Sequence, residues 1–361
     1  MAATAPITES ETETETEPLS YAEFLARVPK VELHCHFPGA VFAATAIELA
    51  AKNGTELPTD DPNELYRYTT ITGFLTALQA VSKTLVERED FARVAYETLA
   101  DGVRTGNLRY REMFFNPDYH SPQGATYETV VEGIGDGIRR AHAEFGVRCN
   151  LIAAMSRYHG PDAAVALVET VLAHPHELVI GVGMDDLTPE GKEAPELFVE
   201  AYTLANEHGL NTTAHVGEID GSTAHDVLIA LDVLGVDRID HGYRILGDPT
   251  VVKRARDERV HFTTCPHSSV WLYDFTFEEH PIRQMFLQGL RIGLNTDDPP
   301  FFDTDLGKEF VVGAARMGFE PEQVAQLCMN AVEGCWLPEP EKDALREEFR
   351  RDIDALTARL R

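Results

Sequence analysis

Four histidines, two aspartates and one glutamate stand in this chain where they could do metal-assisted acid–base chemistry: His34, His36, His215, His241, Asp297, Asp298 and Glu218. The stretch Thr212-Thr213-Ala214-His215-Val216-Gly217-Glu218 reads as a short buried strand ending in a histidine, followed by a glycine turn and a carboxylate. A neutral imidazole can bind a divalent metal, and a glutamate three residues on can reach the same cavity to move protons. A second grip lies near the start, in Lys30-Val31-Glu32-Leu33-His34-Cys35-His36. Side chains alternate faces along a strand, so His34 and His36 point the same way and Cys35 the other, as a packing residue. Taken singly, each pattern is common at ordinary strand ends. Their weight depends on whether the chain brings them together.

Eight stretches have the composition of short buried strands, near 30–36, 108–115, 148–155, 178–184, 211–215, 238–241, 260–265 and 290–295. Helix-length sequence separates each from the next. Strands alternating with helices imply parallel pairing, and eight of them imply an α/β fold of the closed (β/α)8 TIM-barrel kind. Residues 40–105 are too long for a simple crossover and carry helical apolar spacing, which predicts extra helices inserted after the first strand. Residues 305–361 predict further helices at the C-terminus.

In such a barrel the C-terminal strand ends converge on one rim, where active sites are built. His34 and His36 close the first strand, His215 the fifth and His241 the sixth, while Asp297 and Asp298 follow the eighth. Chance placement of the whole set on one rim is far less probable than that of any single member. Three histidines and a carboxylate suit Zn2+ with a water in its shell, whose pKa zinc lowers to about 7. The fourth strand ends Gly183-Met184-Asp185-Asp186, with no lysine to bridge a second ion, so one zinc per chain is expected.

Composition narrows the partners. The chain has 31 Lys plus Arg against 60 Asp plus Glu, a formal charge of -29. Such a surface repels phosphate backbones and anionic membranes, so neither nucleic acid nor a membrane is an expected partner. The expected partner is a small molecule, and a homo-oligomer is left open. Residues 1–20, with Glu and Thr alternating from Glu9 to Glu17, read as a disordered acidic tail, and 21–361 as a single domain. Five widely spaced cysteines without a CxxC pair, and no apolar stretch of membrane-spanning length, suit a soluble protein of the reducing cytoplasm.

Five motifs carry a resemblance: His34-Cys35-His36, His215-Val216-Gly217-Glu218, Ile239-Asp240-His241-Gly242, Cys265-Pro266-His267-Ser268-Ser269 and Asn295-Thr296-Asp297-Asp298-Pro299. In order and spacing, from Pro29 to past Phe310, the chain resembles the adenosine deaminase branch of the metal-dependent amidohydrolases. The resemblance implies zinc on His34, His36, His215 and Asp297, and Glu218 as proton donor to N1 of a 6-aminopurine. It implies that His241 orients or deprotonates the attacking water, and that Asp298 contacts the ring at N7. The reaction would release ammonia and leave the 6-oxopurine. Adenosine or deoxyadenosine is the leading substrate expectation, with adenine, an N6-substituted adenine or a modified nucleoside such as aminodeoxyfutalosine as alternatives. A barrel hydrolase of another class and a non-catalytic paralogue stand behind these.

The chain departs from the family in two places. Phe37-Pro38-Gly39 replaces an acidic residue before glycine, and Gly183-Met184-Asp185-Asp186 replaces Asp-Leu-x-Gly. Phe37, Met184 and Asp185, with Asp298, are therefore the candidate substrate contacts. Pro299-Pro300-Phe301-Phe302 could supply an apolar wall, and His267 could also face the pocket.

Overall fold

A computed structural model describes residues 17–273 and 275–361. Its eight strands are β1 (Lys30–His36), β2 (Leu108–Phe115), β3 (Arg148–Ser156), β4 (Val179–Asp185), β5 (Asn211–Val216), β6 (Arg238–His241), β7 (His261–Thr264) and β8 (Arg291–Leu294). They pair in parallel in sequential order, with helices between them. The ring closes where Cys35 forms a parallel bridge with Asp297, and where the Asp297 N–H donates to the His34 carbonyl at 3.1 Å. The predicted (β/α)8 barrel is the fold.

The additions are also where the apolar spacing put them. Helices Ala43–Asn53, Ile71–Ser82 and Arg88–Gly106 lie between β1 and β2, and Pro321–Gly334 and Glu339–Thr357 follow β8. One element was not anticipated. Helix Pro266–Leu272 starts directly after β7, with Pro266 in its first turn, where a missing N–H costs nothing. The packed chain also begins earlier than Tyr21: Leu19 is buried and bridges Leu360, and Ser20 caps the first helix. Residues 1–16 of the expected acidic tail lie outside the described residues.

Two features of the strands set up the rim. Glu32 pairs with Arg111 and Cys35 with Met113, so three steps along β1 match two along β2, which makes a bulge beneath the histidine pair. Bulges re-aim side chains next to functional sites. Inside the barrel, Phe114, Ile152 and Ala154 pack with Trp336 below the rim. Arg238 lies over the Trp336 ring at 3.9 Å and is salt-bridged to buried Glu112 at 2.5 Å. This solid interior leaves the chemistry to the strand ends.

Candidate metal and deamination site

The histidines and aspartates scattered through the sequence meet at the rim. His36 Nε2 and His215 Nε2 stand 3.1 Å apart, and Asp297 Oδ1 lies 3.5 Å from both His34 Nε2 and His36 Nε2. His34, His36 and Asp297 form one compact ligand group, and His34, His215 and His241 another. His34 Nε2 is buried with no hydrogen-bond partner, as expected of a donor atom kept for a cation. Three imidazoles and a carboxylate around one point therefore fit Zn2+.

Backbone conformation explains how neighbours on the chain reach one cavity. Along β6, alternation turns Arg238 and Asp240 inward and Ile239 outward, which should send His241 outward as well. His241 adopts φ 64° instead and so joins His34 and His215, with ring centroids 4.6 and 4.9 Å away. Asp297 likewise has φ 67°. Left-handed backbone at a non-glycine residue costs on the order of 1–3 kcal/mol and persists where the surroundings enforce it, commonly at functional sites.

Asp240 has the clearest role not read from the sequence. Its Oδ2 lies 3.3 Å from His215 Nδ1, and its Oδ1 accepts from the Thr263 hydroxyl at 2.7 Å. Thr263 in turn contacts His34 Nδ1 at 2.9 Å. The far nitrogens of two rings are thus pinned, which directs both Nε2 atoms to the centre. Burial pushes the Asp240 carboxyl up, but the hydrogen bond and charge of His215 outweigh it and hold the group well below the usual carboxylate range. Burial also holds His36 down to about 3, and so in its neutral, ligating form.

Glu218 faces the same cavity, 3.5 Å from His241 Nε2. Burial, with the charges of Asp297 and Glu193 adding, raises its carboxyl to about 8 against the lowering effect of His215. The turn that carries it is held from outside: buried Glu193 accepts the backbone N–H groups of Gly217 at 2.6 Å, Glu218 at 2.8 Å and Ile219 at 3.2 Å. Gly217 is required there, because φ +66° and the approach of Val227 leave no room for a Cβ. The Tyr273 hydroxyl is a further hydrogen-bond partner of the Glu218 carboxylate.

The expected substrate contacts divide. Asp298 lies against the backbone of Gly39, where a Cβ would sit 1.6 Å from its Oδ1, and that oxygen has no partner. Burial and the adjacent Asp297 push it well above the usual range. Asp185 turns inward, its Oδ2 accepting from Asn116 at 2.8 Å and lying 3.5 Å from His36 Nδ1. Met184 does not reach the cavity. On β4, Gly183 and Asp185 share the inner face, so Met184 points outward into the core around the barrel. Phe37 is also a core residue, buried with its ring stacked on Phe91 at 6.1 Å. His267 turns away to bond Glu309 at 2.8 Å. Phe301 and Phe302 join Tyr68, Phe74 and Trp271 in an aromatic cluster beside Asp298.

A rim carrying imidazoles and acids around one cation position, on a sequential parallel barrel, defines a metal-dependent hydrolase of the barrel class. The adenosine deaminase family model matches residues 29–352. Adenine deaminase of Sinorhizobium medicae is 32% identical over 321 residues, 89% of this chain and 98% of that protein. Adenine deaminase of Streptomyces coelicolor is 34% identical over 336 residues, 92% and 96%. The crystal structure of an amidohydrolase from Burkholderia ambifaria with bound Zn superposes with TM-score 0.87 at 33% identity, covering 97% of this chain and 96% of that one. That of adenine deaminase from Arthrobacter aurescens gives 0.84 at 31%, covering 91% and 99%. The chain belongs to the adenosine deaminase family and is an aminohydrolase acting on cyclic amidines. Among the described residues no helix is long and apolar enough to cross a membrane.

Proposed function

We propose that this protein hydrolyses adenine to hypoxanthine and ammonia with one zinc per chain, held by His34, His36, His215 and Asp297. The observation that carries the choice of free base over nucleoside is the wall around Asp298. In place of the acidic residue that the resemblance associates with sugar or ring contact, residues 37–39 offer a core phenylalanine, a proline and a glycine. Asp185 and Asp186 are engaged as well, Asp186 by the hydroxyls of Tyr119 at 2.6 Å and Ser156 at 2.5 Å. Residues 37–39 themselves thus carry no acid to meet a ribose. The relatives named above as adenine deaminases support the same reading, which displaces adenosine as the first expectation.

Zinc, when bound, supplies a Lewis acid that brings the pKa of a coordinated water to about 7. The residues supply the rest. Glu218, protonated through its raised pKa, donates to N1 and draws electron density away from C6. His241 turns Nε2 toward Glu218 at 3.5 Å, and Tyr243 contacts its Nδ1 at 3.3 Å, which holds the ring in place to orient the attacking water. Asp298, kept protonated by its burial and by Asp297, donates to N7 and fixes the ring. Burial of His241 and Asp298 strengthens these contacts.

Zinc-loaded protein incubated with adenine should form hypoxanthine and ammonia in equal amounts. Glu218→Gln should lower kcat by about 10²–10⁴, the usual contribution of a positioned acid. Unchanged turnover in that variant, or ammonia release from another purine only, would overturn the assignment.

A further inference from the structure

The opposite mouth of the barrel holds a second, polar cavity of about 220 Å3, among the first residues of β5, β7 and β8 and below Trp336. At about 30 Å3 per water it has room for about seven waters, enough for a five-atom oxyanion with space to spare. Three cationic side chains line it, Arg259, Arg291 and Lys342. Among the described residues neither Arg259 nor Arg291 makes a salt bridge or side-chain hydrogen bond. In a chain with 60 acidic and 31 basic residues, two arginines on one cavity lining with no direct salt bridge are unexpected, although the charge of Arg291 does reach the Glu333 carboxylate. The acids that line the same cavity make their direct hydrogen bonds outside the arginine pair. Glu333 is held by Arg346 at 2.5 and 3.1 Å, and Asp237 Oδ2 accepts the Thr212 N–H at 2.8 Å.

His261 supplies a separate indication. It lines the cavity, is 4% exposed, and both of its ring nitrogens are buried without a partner. A buried polar group without a partner is destabilising, so a ligand that accepts its N–H relieves that cost. The ring is seated close against Gly334, where a Cβ would meet it at 2.4 Å. Guanidinium groups match the geometry of phosphate oxygens, and a neutral imidazole adds one directed donor.

We propose that this N-terminal mouth binds a phosphate-class oxyanion, with Arg259 and Arg291 supplying charge and His261 a buried hydrogen bond. The ligand is inorganic phosphate or the phosphoryl end of a small metabolite. The test is calorimetric titration of zinc-loaded, full-length protein with inorganic phosphate at constant ionic strength, against the double variant R259Q/R291Q. Wild type should show saturable one-site binding, and the variant at least tenfold weaker binding with its far-UV circular dichroism and basal turnover unchanged. Ribose 5-phosphate in the same titration distinguishes the sources: tighter binding than phosphate indicates a metabolite, and weaker binding the free ion. No saturable binding to wild type would overturn the proposal. So would an unchanged Kd in the variant, which would place the phosphate elsewhere, such as on the zinc.

Discussion

Glu193 accepts the backbone N–H of Glu218 at 2.8 Å, from a loop that shares no strand with it. One buried carboxylate thereby fixes the turn that aims the proposed acid, since the amides of Gly217 and Ile219 end on it too. Glu193→Ala should lower kcat roughly 10–100-fold, with zinc content unchanged and a smaller change in KM, because misplacing a catalytic group by about 1 Å costs about 10². Glu193→Gln, which keeps one acceptor oxygen, should recover part of the loss. Hydrogen exchange at Gly217–Ile219 checks the structural half without substrate: those amides should exchange faster in the alanine variant.

Asp240 pins His215 directly and His34 through Thr263. Outer-shell partners of this kind typically contribute 10–100-fold in metal affinity. Asp240→Ala should weaken zinc binding by that factor in competition with a chromophoric chelator, while Asp240→Asn should weaken it less.

The pH profile follows from Glu218. Its carboxyl is raised to about 8, mainly by burial, so the proton-donating form persists below that pH and is lost above it. Turnover should therefore fall on the alkaline side, with kcat declining through pH 8. A profile that stays flat through that range contradicts Glu218 as the acid.

Stability near the site rests on a buried ion pair. Arg111 contacts Glu32 at 2.5 and 2.6 Å, and Glu32 Oε1 accepts from the N–H and hydroxyl of Thr296, the residue before Asp297. Arg111→Met leaves Glu32 buried and unpaired, which should cost about 3–5 kcal/mol in denaturant unfolding. Because Glu32 also positions Thr296, zinc affinity should fall in the same variant.

The barrel was legible because each strand is a short apolar run bounded by helix-length sequence, and the metal group because its members sit at strand ends. What was not legible depends on geometry the sequence pattern does not carry. Alternation places Met184 outside, and the turn after β1 puts Phe37 in the core. Asp240 and Glu193 act through contacts with residues 25 positions away, visible only once β5 and β6 are paired and the β4 loop is folded back. The left-handed φ angles at His241 and Asp297 were not legible, because Asp and His enter that region more often than most residues but still too rarely to mark a position.

The central claim is that the altered wall selects a free base. The ratio of kcat/KM for adenine to that for adenosine, measured by ammonia release on zinc-loaded protein, tests it most directly. A buried polar group left unmatched by the wrong substrate discriminates by about 10² or more, so the account predicts adenine ahead by at least that factor. Equal values, or a preference for adenosine, would contradict it.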